Sequence, residues 1–190
     1  MSTTSIFLSA FLLGIGIAII IIYNGIIARK NAVERAWAGV ITQERQKNKI
    51  LPELENVVAE HKEFESKILT DITRLRSKLS ELSTQDINPN QLSEVEALMS
   101  SVKSAINVTM EAYPDLKTAG LMSSLMREVA EQQENIGAAI RIFNQNVEAF
   151  NGGIEMFPNN IVNNMLNKES RILVFSDKQA SEGFDYKPNF

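Results

Sequence analysis

The chain of 190 residues contains no cysteine and only one histidine. Disulfides, thiolate catalysis and cysteine-ligated metals are therefore excluded, and one histidine cannot build a multi-histidine metal site. Glycine and proline are sparse, with 9 and 5 residues, which argues against a turn-rich β protein. The formal net charge is -4, so no basic excess exists to follow a phosphate backbone, and we expect no nucleic-acid partner.

Charge is also absent from the start of the chain, since no Lys, Arg, Asp or Glu precedes Arg29. The sequence is apolar from Ile6 to Ile22 except for one serine, and the apolar run resumes at Ile26–Ala28. A helix over 6–28 would be about 34 Å long, which is enough to cross a bilayer. A cleaved signal peptide would need a basic start and a small-x-small cleavage site, and both are missing. We predict that residues 1–28 are an uncleaved, single-pass anchor in the lipid bilayer.

Basic side chains follow this span and none precedes it. Arg29, Lys30 and Arg35 lie just after it, and positive charge marks the cytoplasmic side of a membrane helix. We therefore predict that the N-terminus lies outside and the remainder of the chain lies in the cytoplasm.

One face of the span carries small residues at every fourth position, namely Ala10, Gly14 and Ala18. Small residues at this spacing let two helices approach closely in lipid. Glycine and alanine are also ordinary constituents of membrane helices, so helix contact and simple composition both remain open.

A long heptad pattern predicts a helical bundle over residues 29–167, with rod-like helices packed against one another. Its steps of four and three connect Val33, Trp37, Val40, Glu44, Lys47, Leu51, Leu54, Val58, His61, Glu65, Ile68, Ile72, Leu75, Leu79 and Leu82. Pro52 lies inside this seam, where it predicts either a kink near Ile50–Leu51 or a new helix start. The phase survives across the proline, so we favour one kinked, continuous rod.

Two more helices are predicted after the Asn88-Pro89-Asn90 turn. Ser93 and Glu96 have the spacing of a capping box, and the second helix should end near Tyr113 because Pro114 disfavours a helical residue before it. The third helix ends in a seven-residue repeat that returns its aromatic and aliphatic residues to one face. Its members are Phe143-Asn144-x-x-Val147, Phe150-Asn151-x-x-Ile154 and Phe157-Pro158-x-x-Ile161. Pro158 should end or bend this helix, and a short helix over 159–167 is expected to follow.

The overall prediction is an all-α fold, in which one transmembrane helix continues into an antiparallel bundle of long helices. Residues 168–190 form an irregular C-terminal tail with scattered aromatic residues. Such a tail is mobile unless it docks. We expect it to dock through Phe184, Tyr186 and Phe190, either on its own bundle or on a neighbouring subunit.

Several of these motifs, in this order, resemble the LemA family. They are Tyr23-Asn24, Arg29-x-x-x-Val33-x-x-Ala36-Trp37-x-x-Val40, Leu51-Pro52-x-Leu54-x-x-Val57 with His61-Lys-Glu63, Tyr113-Pro-Asp-Leu-Lys117, and the repeat from Phe143 to Pro158. The resemblance covers about residues 23–165. It implies a membrane-anchored, mainly antiparallel bundle of the bacterial cytoplasmic membrane, with no established catalytic activity. Two features depart from the family pattern, namely Arg45-Gln46-Lys47 in place of a double arginine and a longer tail without an early Gly-Phe.

Four polar residues occupy seam positions where apolar side chains are expected, namely Glu44, Lys47, His61 and Glu65. They either form a buried site for a metal or a proton or pair with one another to fix helix register. Di-metal bundles place Glu-x-x-His on two helices, and this chain lacks the second histidine, so we favour pairing without a metal. Asn144 and Asn151 either bond to another helix or face water, and Trp37 is either a core anchor, which we favour, or a headgroup contact.

Phosphate-loop and nucleophile-elbow patterns are absent, so we predict no enzyme and no cofactor. The favoured function is a membrane-anchored scaffold that forms a homo-oligomer and organises the membrane or its partners. The alternative is an adaptor or regulator of a membrane protease or sensor, with a membrane-protein partner and little self-assembly. A pore is the weakest hypothesis, because the span has no ionisable residue.

Overall fold

The computed structural model describes residues 3–61, 64, 66–113 and 120–176. These residues form helices and irregular segments without a strand. The helices are α1 (Thr3–Glu60), α2 (Ser66–Glu81), α3 (Pro89–Ala112), α4 (Gly120–Glu155) and α5 (Asn159–Val162), and a π-helical turn, Asn163–Asn167, follows directly. The all-α class and the long apolar N-terminal helix are confirmed, whereas the antiparallel order of the bundle stays a prediction.

Helix α1 is 58 residues long and continues across Pro52 without a break. Its apolar N-terminal part is long and apolar enough to cross a membrane, and none of that stretch is buried by the described residues. The same helix enters the folded part of the chain, where its side chains become buried from Ile26 onward. The described structure therefore joins the apolar segment to the folded region through one helix.

The chain divides into two compact units, and the first combines the residues up to Arg35 with Phe143–Val174. Its buried apolar side chains come from α1, the end of α4 and α5: Ile26, Val33, Phe143, Val147, Phe150, Ile154 and Val162. The four from α4 are spaced by four, three and four residues, so they share one helix face. Each buried phenylalanine contributes about 2 to 3 kcal/mol of transfer free energy to this core.

The second unit contains Ala36–Ile142 and takes in Phe175. Its α2 and α3 pack against each other. The buried residues recur at three- and four-residue spacing: Ile68, Ile72, Leu75 and Leu79 on α2, and Leu92, Val95, Met99, Val102, Ile106 and Met110 on α3. Helix α3 begins after Asn88, whose side-chain oxygen accepts a hydrogen bond from the Gln91 backbone N–H at 3.1 Å.

Three sequence-based expectations about the helices are wrong. The rod does not continue to Leu82, because α1 ends at Glu60 and α2 begins at Ser66. The seam nevertheless selects buried positions on both helices. Ser93 does not cap α3, since its hydroxyl donates to the Pro89 carbonyl within the helix. Phe157 does not join the buried face of α4, because the helix ends at Glu155 and the Phe157 side chain is exposed.

Candidate functional sites: a buried polar cluster and an asparagine clamp

A cluster of polar side chains lies inside the second unit and joins α1, α3 and α4. The Lys47 ammonium lies 3.0 Å from Glu44 Oε2 and 2.7 Å from Glu96 Oε1. Gln133 Nε2 donates a short hydrogen bond to the other Glu96 oxygen. The Glu44 side chain is fully buried and that of Lys47 is 3% exposed. We call these four residues the polar cluster.

Burial raises the pKa of Glu44 to about 8, because removal from water penalises its charged form more than the nearby Lys47 ammonium favours it. Burial also acts to raise the pKa of Glu96. The Lys47 ammonium, together with hydrogen bonds from Glu44, Lys47 and Gln133, outweighs burial and lowers it. Near neutral pH these shifts favour a protonated Glu44 beside an ionised Glu96.

The cluster places two of the four predicted seam residues together and separates a third from them. Glu44 and Lys47 pair in the interior, whereas His61 follows the end of α1, with its ring 6.4 Å from that of Phe64 in an edge-on arrangement. Glu65 lies outside the described residues. No group of three potential metal-ligating His, Asp or Glu side chains occurs within the described ranges. The geometry favours a role of the polar cluster in helix pairing.

Sequence reasoning missed Glu96 and Gln133 as members of the cluster. The sequence pattern instead predicted that Glu96 is part of a capping box. The available signal was the pair Glu44 and Lys47 itself, because two charged residues on an apolar seam require polar partners on the facing helices. Those partners had to lie beside apolar seam positions of other helices, as Glu96 does next to Val95.

A second arrangement of polar side chains, in the first unit, binds the backbone of the irregular segment that follows the π-helical turn. Asn151 Nδ2 donates to the Ile172 carbonyl at 2.9 Å, and the Ile172 N–H donates back to Asn151 Oδ1 at 3.0 Å. Asn163 makes the same pair of bonds with Glu169, at 3.0 Å each. We call these two residues the asparagine clamp. Each amide takes the place of a neighbouring β-strand, so the clamp recognises backbone and not side chains.

Asn151 follows neither predicted alternative, since its amide binds an irregular segment and not another helix or water. Asn144, the other residue of the predicted pair, lies on α4 and is partly exposed. Asn163 was not predicted. The sequence offers only the run of asparagines around it as a signal. In the structure the Asn163 amide is buried, and a buried amide must find hydrogen-bond partners.

The basic residues after the apolar stretch hold the same region. Lys30 Nζ lies 2.8 Å from Glu169 Oε1. Arg29 lies along Gly153 so closely that a Cβ placed there would be 2.9 Å from Arg29 Cδ. Arg35 is exposed on α1. On α1, Arg29 therefore contacts the end of α4, and Lys30 pairs with the segment after the π-helical turn.

On the apolar part of α1, Ala10, Gly14 and Ala18 are exposed. A Cβ added at Gly14 would meet nothing within 4 Å. The small-residue face is thus uncovered by the described residues.

The other residues named in the sequence motifs occupy varied positions. Trp37 is 1% exposed and its Nε1 donates to the Ser83 carbonyl at 2.9 Å. Beside it, Arg45 donates to the Leu82 carbonyl at 2.8 Å, so α1 satisfies backbone groups that α2 leaves free at its end. Tyr113 follows α3 and is exposed. Pro114, Phe184, Tyr186 and Phe190 lie outside the described residues, so the docking of the tail through its three aromatic residues stays a prediction.

These observations define a class of protein: an all-α chain whose long, apolar N-terminal helix runs directly into the folded region. The LemA family model matches residues 36–183, which is most of the chain. A curated relative, Protein LemA from Metamycoplasma hominis, is 30% identical over 159 residues, covering 82% of this chain and 71% of that protein. The chain belongs to the LemA family.

Proposed function

We propose that this protein is a membrane-anchored scaffold that assembles with copies of itself at the bacterial cytoplasmic membrane. The observation that carries the proposal is the continuity of α1 from Thr3 to Glu60. Helix α1 begins with the apolar stretch and continues into the second unit. A contact between the spans of neighbouring copies would therefore also bring their folded regions together. In this arrangement the folded part lies in the cytoplasm, as the basic residues after the span favour.

The uncovered small-residue face of α1 supports self-assembly. Ala10, Gly14 and Ala18 form a surface on which a second helix can approach closely, and the chain's own described residues leave it free. Contacts between different faces of successive copies would form a ring or a belt. In this proposal the assembled copies organise the surrounding membrane and recruit membrane-protein partners. Such a function requires no catalytic site and no cofactor.

The test is the particle mass and shape of the full-length protein in lipid nanodiscs or mild detergent, measured by mass photometry and single-particle microscopy. The wild type is compared with Gly14→Leu and Gly16→Leu. The two glycines lie on opposite sides of the helix, and neither has a neighbour within 4 Å, so the same added side chain differs only in the face it blocks. We expect a large symmetric assembly that Gly14→Leu reduces and Gly16→Leu preserves.

A wild-type protein that is monomeric or dimeric would contradict the scaffold proposal and favour the adaptor hypothesis. Crosslinking in cells would then identify the membrane protein it contacts. The orientation of the chain in the membrane is tested in a separate experiment. Since the chain has no cysteine, one introduced cysteine is its single labelling site. An impermeant maleimide should reach Thr4→Cys in intact cells, whereas Val108→Cys should react only after lysis. The reverse pattern would place the folded part outside.

A further inference from the structure

The segment 156–167, between Glu155 and Lys168, contains no Asp, Glu, Lys, Arg or His, although 22% of the chain is charged. We call it the charge-free segment. Its large apolar side chains point outward: Phe157 is 79% exposed and Met165 is 70% exposed, and Met156, Ile161 and Leu166 are also exposed. Single exposed apolar residues are common, but a contiguous group of them marks a surface that contacts something apolar.

The ends of the charge-free segment are fixed where the apolar part of α1 gives way to charge. Before the segment, Gly153 lies against the Arg29 side chain. After it, Glu169 pairs with Lys30 at 2.8 Å. Arg29 and Lys30 are the first charged residues of the chain. The segment therefore leaves and returns at the boundary where a membrane surface would lie.

Between these two points the segment reaches along the apolar part of α1. Asn167 Nδ2 lies 3.4 Å from the Tyr23 carbonyl oxygen, to which it donates. Tyr23 precedes Arg29 by six residues, which is about 9 Å along the helix axis toward the apolar end. The end of the charge-free segment thus contacts α1 on the apolar side of its first charged residues.

Most amide donors of the segment are paired with backbone, whereas Asn164 is exposed. Three of its five asparagines donate to backbone carbonyls: Asn159 to Gly153 at 2.9 Å, Asn163 to Glu169 at 3.0 Å and Asn167 to Tyr23. A segment in water has no need for this pairing, because water satisfies an amide equally well. A segment at the edge of the hydrocarbon region does, because an unpaired amide there is costly.

We propose that the charge-free segment is a second membrane contact, in which Phe157, Met165 and Leu166 insert between lipid headgroups and the start of the acyl chains. This inference rests on the proposed placement of α1 in a bilayer. Amphipathic helices that lie in a membrane surface bury their apolar side chains about 5 to 10 Å deep, and we expect a similar depth here. The contact would hold the first unit against the membrane and restrain its rotation about the axis of α1.

The absence of cysteine allows a direct test with single spin labels on the full-length protein in lipid nanodiscs. Labels are placed at Phe157→Cys and Met165→Cys, at Leu12→Cys as a lipid-facing reference, and at Glu148→Cys as an exposed reference on α4 in the same unit. Collision rates with oxygen, which concentrates in lipid, and with a nickel chelate, which stays in water, are measured by electron paramagnetic resonance. We expect the ratio of the two rates at residues 157 and 165 to be close to that at residue 12 and far from that at residue 148.

Each possible result is decisive. Free access of the nickel chelate at residues 157 and 165, with residue 12 in lipid, would overturn the second contact and leave the anchored scaffold intact. Access of neither oxygen nor nickel at residues 157 and 165 would mean that protein covers the segment, which also overturns the lipid contact. Nickel access at residue 12 would overturn the anchoring itself, and the second contact with it.

Discussion

Replacing Glu44 with glutamine should change how the stability of the second unit depends on pH. In the folded protein the Glu44 carboxyl keeps its proton up to a pH of about 8, whereas in the unfolded chain it loses the proton near 4.5. Between these values the folded state binds one more proton than the unfolded state, so stability falls as pH rises. It is highest with respect to this group below pH 4.5, and the full loss is reached above pH 8. Glutamine carries no proton to lose and should remove this dependence.

The size of the effect follows from one proton. Each pH unit in this interval lowers the free energy of unfolding by about 1.4 kcal/mol. Between about pH 6 and pH 8 the wild type should therefore lose about 2 to 3 kcal/mol relative to Glu44→Gln. The range also avoids Glu96, whose lowered pKa takes stability away only in acid. The amide introduced at position 44 is uncharged at every pH of the experiment, so the variant stands in for the neutral form of the carboxyl.

The assay is equilibrium urea unfolding of the full-length protein at several pH values. Trp37, the only tryptophan, is buried on α1 in the same unit as the polar cluster, so its fluorescence reports the relevant transition. The control is Glu53→Gln, an exposed glutamate on the same helix, which should keep the wild-type dependence. If Glu44→Gln and the wild type lose stability in parallel over this pH range, Glu44 is already ionised in the folded protein and the reasoning is refuted.

Two further predictions concern the first unit. Asn151→Ala removes two hydrogen bonds from the clamped segment, each worth about 1 kcal/mol, so trypsin should cleave after Arg171 about thirtyfold faster. Gly152→Ala should raise the free energy of unfolding by about 1 kcal/mol through helix propensity, because its nearest neighbour is 3.7 Å from an added Cβ. Gly153→Ala should gain less in the same thermal-unfolding measurement, because its Cβ would press on Arg29.

The control for the proteolysis measurement is Gln145→Ala, an exposed change on the same helix. It should leave the cleavage rate after Arg171 unchanged. Equal cleavage of Asn151→Ala and the wild type would show that the clamp does not limit the opening of this segment. For the glycines, a larger gain at residue 153 than at residue 152 would mean that Arg29 moves aside without loss.

The buried faces of the helices could be predicted from the sequence, because the spacing of apolar residues depends only on helix geometry. The seam from Val33 to Val58 is buried on α1, and Ile68, Ile72, Leu75 and Leu79 are buried on α2. The break between α1 and α2 was missed, because His61 and its neighbours include neither proline nor glycine. A heptad pattern records which face is apolar and does not record where the backbone leaves the helix.

The contacts between distant residues could not be predicted in the same way. Glu96 bonds to Lys47 across 49 positions of sequence, and Lys30 bonds to Glu169 across 139. Which acid meets which base depends on the three-dimensional packing of helices, and local periodicity does not contain that information. Phe157 illustrates the same limit: its period places it with Phe150, but the end of α4 at Glu155 turns it outward.

The polar cluster resolves an ambiguity that the apolar seam leaves open. A heptad seam stays apolar when one helix slides by seven residues against another, so apolar packing alone selects register weakly. A slide of α1 by seven residues would separate Lys47 from Glu96 and leave a buried charge unpaired, at about 3 to 5 kcal/mol. We therefore expect the cluster to specify register more than it adds stability. Replacing all four members by leucine or methionine should leave the melting temperature equal or higher, but the register should become heterogeneous, as measured by crosslinking between cysteines introduced on α1 and α3. A single crosslinking register in that variant would show that apolar packing alone is sufficient.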